Sequence, residues 1–187
     1  MRAAVIPPAR RARRLCLATV VALAGSGAVA DGEPPGRTVS GCARGQQVAF
    51  AGSTGAGRQV AVCSSPDLSP TAGSLQLRFL RRGKLVLELP AHADAATAWR
   101  DQVKAGRVMY ADGGGAYLRF DAAGQAHVVY SAIGRGWGTK AGALVLAPGG
   151  TQTVQKCQGP VRSQIGPALA ERAGVGPDPE DLELPAP

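Results

Sequence analysis

The imidazoles and thiols of this 187-residue chain, its readiest acid–base and nucleophilic groups, are few: two histidines, His92 and His127, and four cysteines, Cys16, Cys42, Cys63 and Cys157. Nucleophilic catalysis needs a base and an orienting group held around a Ser, Cys or Thr. His92 stands two residues before Asp94 in a stretch that reads as a loop, and His127 falls on a strand face near Arg119. Neither lies in a catalytic signature, so each reads as a satisfied surface histidine, and a hydrolase built on His92 or His127 is kept only as an alternative. Asp101, Asp112 and Asp121 are scattered, and the sequence holds no paired acids, no phosphate-cradling loop and no cofactor fingerprint. The cysteines lack C-x-x-C spacing, which argues against a zinc site.

The segment with most binding character is Gly134-Arg135-Gly136-Trp137-Gly138, followed by Lys140. It sets a cation and a large aromatic on backbone that can approach a partner closely. The competing reading has the glycines shaping a tight strand connection, with Trp137 folded back on the core. Together with Tyr117 and Arg119 on a nearby strand, Arg135, Trp137 and Lys140 form the expected binding surface. The cations are dispersed and aromatics make up only 4% of the chain, which disfavours nucleic acid as a partner.

Strands must position these residues. With 26 Gly and 14 Pro, long helices are disfavoured, and short strands joined by turns are expected. Gly45–Phe50 is echoed by Gly57–Val62, two alternating runs that read as a hairpin. Leu75–Leu80 and Lys84–Leu89 flank Arg81-Arg82-Gly83, read as a three-residue loop pairing Leu80 with Lys84, Phe79 with Leu85, Leu77 with Leu87 and Leu75 with Leu89. Residues 91–106 carry Ala95, Trp99 and Val103 at helical spacing, which predicts a short helix capped by Asp94. After the Asp112–Gly115 run come further strands at 116–120, 126–132, 141–147 and 151–157. Centring the second hairpin on Asp121–Gln125 pairs Phe120 with Ala126, Leu118 with Val128 and Ala116 with Tyr130. A short helix is predicted at Pro167–Ala173, with proline in its first turn. The expected fold is all-β: an antiparallel barrel or sandwich of eight to nine short strands with one or two short helices.

The N-terminus reads as an export address. Arg10, Arg11, Arg13 and Arg14 precede the apolar run 15–27, and Ala28-Val29-Ala30 supplies a small-x-small cleavage pattern. The organisation expected is a signal peptide over 1–30, a flexible leader over 31–41, a β domain over 42–158, a helical region over 159–176 and an acidic, proline-rich tail without fold over 177–187. Loss of the signal lowers the formal charge from +8 to +3, because 16 Lys and Arg then face 13 Asp and Glu. A periplasmic or secreted location follows, with no stable membrane anchor after cleavage. There disulfides persist. Cys42–Cys157 is the preferred bridge, because it would close the longest loop, and Cys63 is the rival partner of Cys42.

Gly113–Phe120 (GGGAYLRF), His127–Ser131 (HVVYS) and Ile133–Gly142 (IGRGWGTKAG), with Cys157 closing the last strand, resemble a family of small exported bacterial proteins of unknown function. The resemblance implies an exported β-rich domain. A more remote likeness is to the inhibitors of C-type lysozyme, small antiparallel barrels in which a Ser-Gly-x-x-Tyr loop and a downstream lysine block the enzyme cleft. Here the corresponding stretch is Gly113–Tyr117, with glycine at the serine position, tyrosine retained at Tyr117 and no lysine in the matching place. The function expected is non-enzymatic: binding a periplasmic or extracellular protein, or an envelope role, with lysozyme inhibition as the alternative.

Overall fold

The computed structural model describes residues 41–91, 98–180, 182 and 184. The expected signal peptide, most of the leader, His92 and Asp94 lie outside the described residues. Among the described residues ten strands form two five-stranded sheets. The first sheet has the order β10-β1-β2-β3-β4, built from β1 (Gln47–Gly55), β2 (Arg58–Ser64), β3 (Leu75–Arg81), β4 (Lys84–Leu89) and β10 (Gln158–Ser163). The second has the order β5-β6-β7-β8-β9, built from β5 (Val103–Tyr110), β6 (Gly113–Ala122), β7 (Gln125–Gly134), β8 (Gly138–Leu146) and β9 (Gln152–Lys156). Every neighbouring pair is antiparallel. The sheets are open and face each other as a sandwich. Phe50, Val60, Val62, Leu75 and Leu77 of the first pack with Val103, Leu118, Phe120, Val129 and Ala143 of the second, each large side chain contributing about 1.5–3 kcal/mol by leaving water.

Three hairpins share one turn, in which a non-glycine residue and the glycine after it both take positive φ: Ala56-Gly57, Arg82-Gly83 and Ala123-Gly124. This two-residue turn matches the twist of the flanking strands. It also corrects both sequence-derived registers. Arg81, not Leu80, opposes Lys84; a bulge between Phe79 and Leu80 then sets Phe79 opposite Leu87 and Leu77 opposite Leu89. Leu85 is left outside, 53% exposed. In the β6–β7 hairpin Phe120 opposes His127, Leu118 opposes Val129 and Ala116 opposes Ser131. That one-residue slip carries Val128 and Tyr130 to the same face as Tyr117 and Arg119. Gly113–Gly115 lies inside β6 rather than in a turn, because Ala111-Asp112 alone reverses the chain.

The helix expected over 91–106 is realised among the described residues only as a 3-10 turn at Ala98–Gln102. From Val103 the chain pairs with β6 instead. Trp99 is 1% exposed and closes one end of the core, its indole N–H donating to the Gly73 carbonyl at 3.0 Å. Arg100 stacks on its ring at 4.3 Å and donates to the carbonyls of Ser69, Ala72 and Ala173. The helix α1 (Pro167–Ala173) has proline in its first turn and a left-handed Gly174 at its end.

Cys42 is bonded to Cys63, with 5.5 Å between their Cα atoms, so the preferred Cys42–Cys157 bridge is corrected. The hairpin is the cause. Val48 of β1 opposes Cys63 of β2, and Cys42 lies just ahead of β1. Cys157 is a free thiol beside Gly52 of β1, where the chain leaves β9 and enters β10, crossing from one sheet to the other.

Candidate functional site: the outer face of the second sheet

Strand register assembles the site. One cross-strand row on the outer face of the second sheet runs Gly106, Tyr117, Tyr130, Gly142, Lys156 from β5 to β9. The two tyrosines oppose each other at the centre of the row, and each lies over the glycine on its outer side. A Cβ on Gly106 would stand 2.1 Å from the Tyr117 ring, and one on Gly142 would stand 2.9 Å from the Tyr130 hydroxyl. Glycine at these two places lets the phenols point in opposite directions, towards the two edges of the sheet.

At the β5 edge the tail meets Tyr117. Gly176 accepts from Ala105 N–H at 3.0 Å, and Asp178 N–H donates back to the Ala105 carbonyl at 2.8 Å. The Tyr117 hydroxyl lies 3.1 Å from both Asp178 Oδ2 and the Glu180 carbonyl. Arg119 bonds Glu180 and Asp121 and stands 3.5 Å from Asp178, whose side chain is wholly buried. Leu182 and Leu184 then pack with Tyr117, Val128, Tyr130 and Leu144. The tail, read as lacking fold, therefore seals an apolar outer face that strand alternation alone would have left wet. Asp178 and Glu180 are met there by Arg119, and Asp178 also accepts a hydrogen bond from the Tyr117 hydroxyl. Burial, with the charge of Asp178 second, pushes the Tyr117 phenol up to about 12. Burial opposes the Arg119 charge, but its bonds to Glu180 and Asp121 outweigh that and hold its pKa above the ordinary value.

At the β8 edge the partners are different. β9 ends at Lys156 opposite Gly142, and the last bond to β8 is from Cys157 N–H to the Ala141 carbonyl at 2.8 Å. Beyond it, no strand among the described residues pairs with Gly138–Lys140 on that side. A cavity of about 450 Å³ opens there, lined by Tyr130, Thr139, Lys140, Ala141, Lys156, Cys157, Gly159, Pro160 and Val161. Among the described residues two lysines line it and no acid does. Tyr130 is 3% exposed, pushed up to about 12 by burial, and its hydroxyl has no hydrogen-bond partner among the described residues. Burial likewise pushes the Cys157 thiol up to about 11. At neutral pH the cavity therefore holds a protonated phenol and a protonated thiol beside the Lys140 and Lys156 side chains. It can donate hydrogen bonds and attract anions; its thiol is poorly suited to nucleophilic attack.

The predicted binding residues are divided by this geometry. Lys140 lines the cavity. Arg135 and Trp137 occupy the turn between β7 and β8. Arg135 is exposed, while Trp137 is half-buried, folded over Gly134 and edge-on to Tyr110 at 5.7 Å. Tyr117 and Arg119 are engaged by the tail, and Tyr117 sits in mid-strand, 2% exposed, instead of at the tip of a projecting loop. His127 is not a satisfied surface histidine. It faces the interior, with its ring 6.1 Å from that of Phe79 and its buried Nδ1 lacking a partner among the described residues. Burial lowers its pKa. Tyr130 and Lys156 were missed, because the slipped register had put Tyr130 on the inner face. The signal that could have found them is the x-Gly turn at Ala123-Gly124, which sets the register of β7.

Among the described residues no three His, Cys, Asp or Glu side chains group as a metal centre, and no helix is long and apolar enough to cross a membrane. No protein-family model, curated protein or solved structure matches this chain.

Proposed function

We propose that this chain is an exported, non-enzymatic binding protein that engages its ligand on the β8 side of the second sheet. The carrying observation is the cavity at the Cys157 corner, in which Lys140 and Lys156 have no ion-pair partner among the described residues. The Cys42–Cys63 bridge supports an oxidising compartment, since such bonds persist outside the cytoplasm. A binding role accords with the chemistry present: His127 does not line the cavity, and the thiol that does is held protonated. The exposed Arg135 at the neighbouring turn extends the cationic surface.

The test is capture from the extracytoplasmic fraction of the native host, using the purified chain and its Lys140→Glu/Lys156→Glu variant as paired baits. A binding role predicts a ligand or protein retained by the first and lost with the second. Equal retention by both baits, or by neither, contradicts it.

A further inference from the structure

The protein shows, within itself, how its second sheet holds a carboxylate. At the β5 edge the Tyr117 hydroxyl and the Arg119 guanidinium converge on the carboxylate of Asp178, which is buried completely by that contact. At the β8 edge the same row supplies a second tyrosine, Tyr130, directly opposite Tyr117 and turned the other way over Gly142. Lys156 is the next residue of the row, and Lys140 lies one row further along β8 on the same face. From this correspondence we infer that the Cys157-corner cavity is a carboxylate-binding site, with Lys140 and Lys156 as the charged donors and the Tyr130 hydroxyl as the orienting one. The inference rests on the binding role proposed above and names the class of ligand that role requires.

Three features favour a carboxylate held inside the cavity over counter-ions spread on the surface. Tyr130 is almost wholly buried, yet its one polar atom is directed into the cavity and is not satisfied by the described protein groups. That hydroxyl is not one of the buried unpaired atoms among the described residues, so it meets solvent in the cavity and can exchange water for an incoming oxygen acceptor. Among the described residues the lining has no carboxylate to compete with the ligand. At about 450 Å³ the space admits a small dicarboxylate, or an acidic side chain with its flanking backbone. Charge-assisted hydrogen bonds to carboxylates are the strong ones, so two ammonium groups and a phenol suffice for a specific contact.

The experiment is isothermal titration of the chain, purified from the extracytoplasmic fraction of an expressing host, with three probes: succinate, the N-acetyl Asp-Pro-Glu amide and inorganic phosphate. Succinate, the tripeptide, or both should bind with a dissociation constant of about 1 mM or tighter; which of them binds more tightly assigns the source as a small acid or a peptide side chain. Lys140→Gln/Lys156→Gln should weaken binding at least about tenfold, and Tyr130→Phe about fivefold, at unchanged melting temperature. Arg119→Gln, on the opposite edge, should change it less than about twofold. Absence of carboxylate binding by the unsubstituted chain overturns the assignment, as does phosphate binding as tightly as the carboxylates. So does carboxylate binding that survives loss of both lysines. If instead the host ligand is captured through Lys140 and Lys156 while none of the carboxylates binds, the binding role stands and the carboxylate class falls.

Discussion

Substituting Tyr117 by Phe removes one oxygen from a buried contact and leaves the ring over Gly106 in place. Its hydroxyl stands 3.1 Å from Asp178 Oδ2, on a side chain with no solvent exposure. A hydrogen bond to a charged acceptor contributes about 1.5–3 kcal/mol. Asp178 would keep the Glu180 N–H at 3.1 Å and Arg119 at 3.5 Å, so the loss belongs at the lower end, about 1.5 kcal/mol. Urea denaturation followed by tryptophan fluorescence measures it, and a cycle with Asp178→Ala isolates the pair, with an expected coupling of about 1 kcal/mol. The pH dependence supplies a second readout. Because the folded pKa is raised from 10.0 to about 12, stability from this phenol is complete below pH 10 and is lost as the pH rises towards 12. The Phe variant should lose less over that interval, the remainder coming from Tyr130, Tyr110 and Cys157, which are shifted the same way. A coupling energy below about 0.3 kcal/mol, with identical alkaline transitions in the two proteins, would refute the tail contact and with it the internal precedent for a carboxylate on a tyrosine.

Other outcomes follow from the same geometry. Gly106→Ala places a methyl 2.1 Å from the Tyr117 ring and should destabilise by about 1–3 kcal/mol, with enhanced proteolysis after Gly174 as the local sign of a released tail. His127 has a folded pKa below its ordinary 6.5, so the folded state binds its proton less well than the unfolded one. Stability is therefore full above pH 6.5 and falls below it, by at most about 1.4 kcal/mol per pH unit, and His127→Phe should flatten that acid limb in urea melts. Replacing both Cys42 and Cys63 by Ser opens a loop with a sequence separation of 21 and should cost about 3 kcal/mol, whereas Cys157→Ser should leave the non-reducing peptide map unchanged.

The class of fold was legible because it depends on alternation and turn residues, which are local. Strand alternation placed β1, β2, β3 and β4, and proline followed by glycine bounded α1. Register was not legible to the residue. Arg82 and Ala123 take positive φ, which is unusual for residues with a Cβ, and the two-residue turns they form shift each register by one position against the reading made from the sequence. In a strand one position is a change of face, so Tyr130 moved from the expected interior to the outer surface beside Tyr117. The disulfide was misassigned because loop length says nothing about proximity, whereas the β1–β2 hairpin brings Cys63 to Cys42. Lys140 could be picked out as an exposed cation beside a glycine-rich turn. Lys156 could not, since its relation to Tyr130 exists only through the row across β7, β8 and β9. The tail offered acids and prolines, a composition that signals lack of fold; its Leu182 and Leu184 gain meaning only against the apolar face that they cover.

The central claim is that the tyrosine row offers two carboxylate seats, one taken by Asp178 and one formed by Tyr130, Lys140 and Lys156. A nuclear magnetic resonance titration with succinate, observing the lysine Nζ and tyrosine ring resonances, tests it most directly. The account predicts saturable shifts at Lys140, Lys156 and Tyr130, with Tyr117 unmoved because Asp178 already holds it. Shifts centred on Tyr117 and Arg119, or spread evenly over all lysines without saturation, would contradict it.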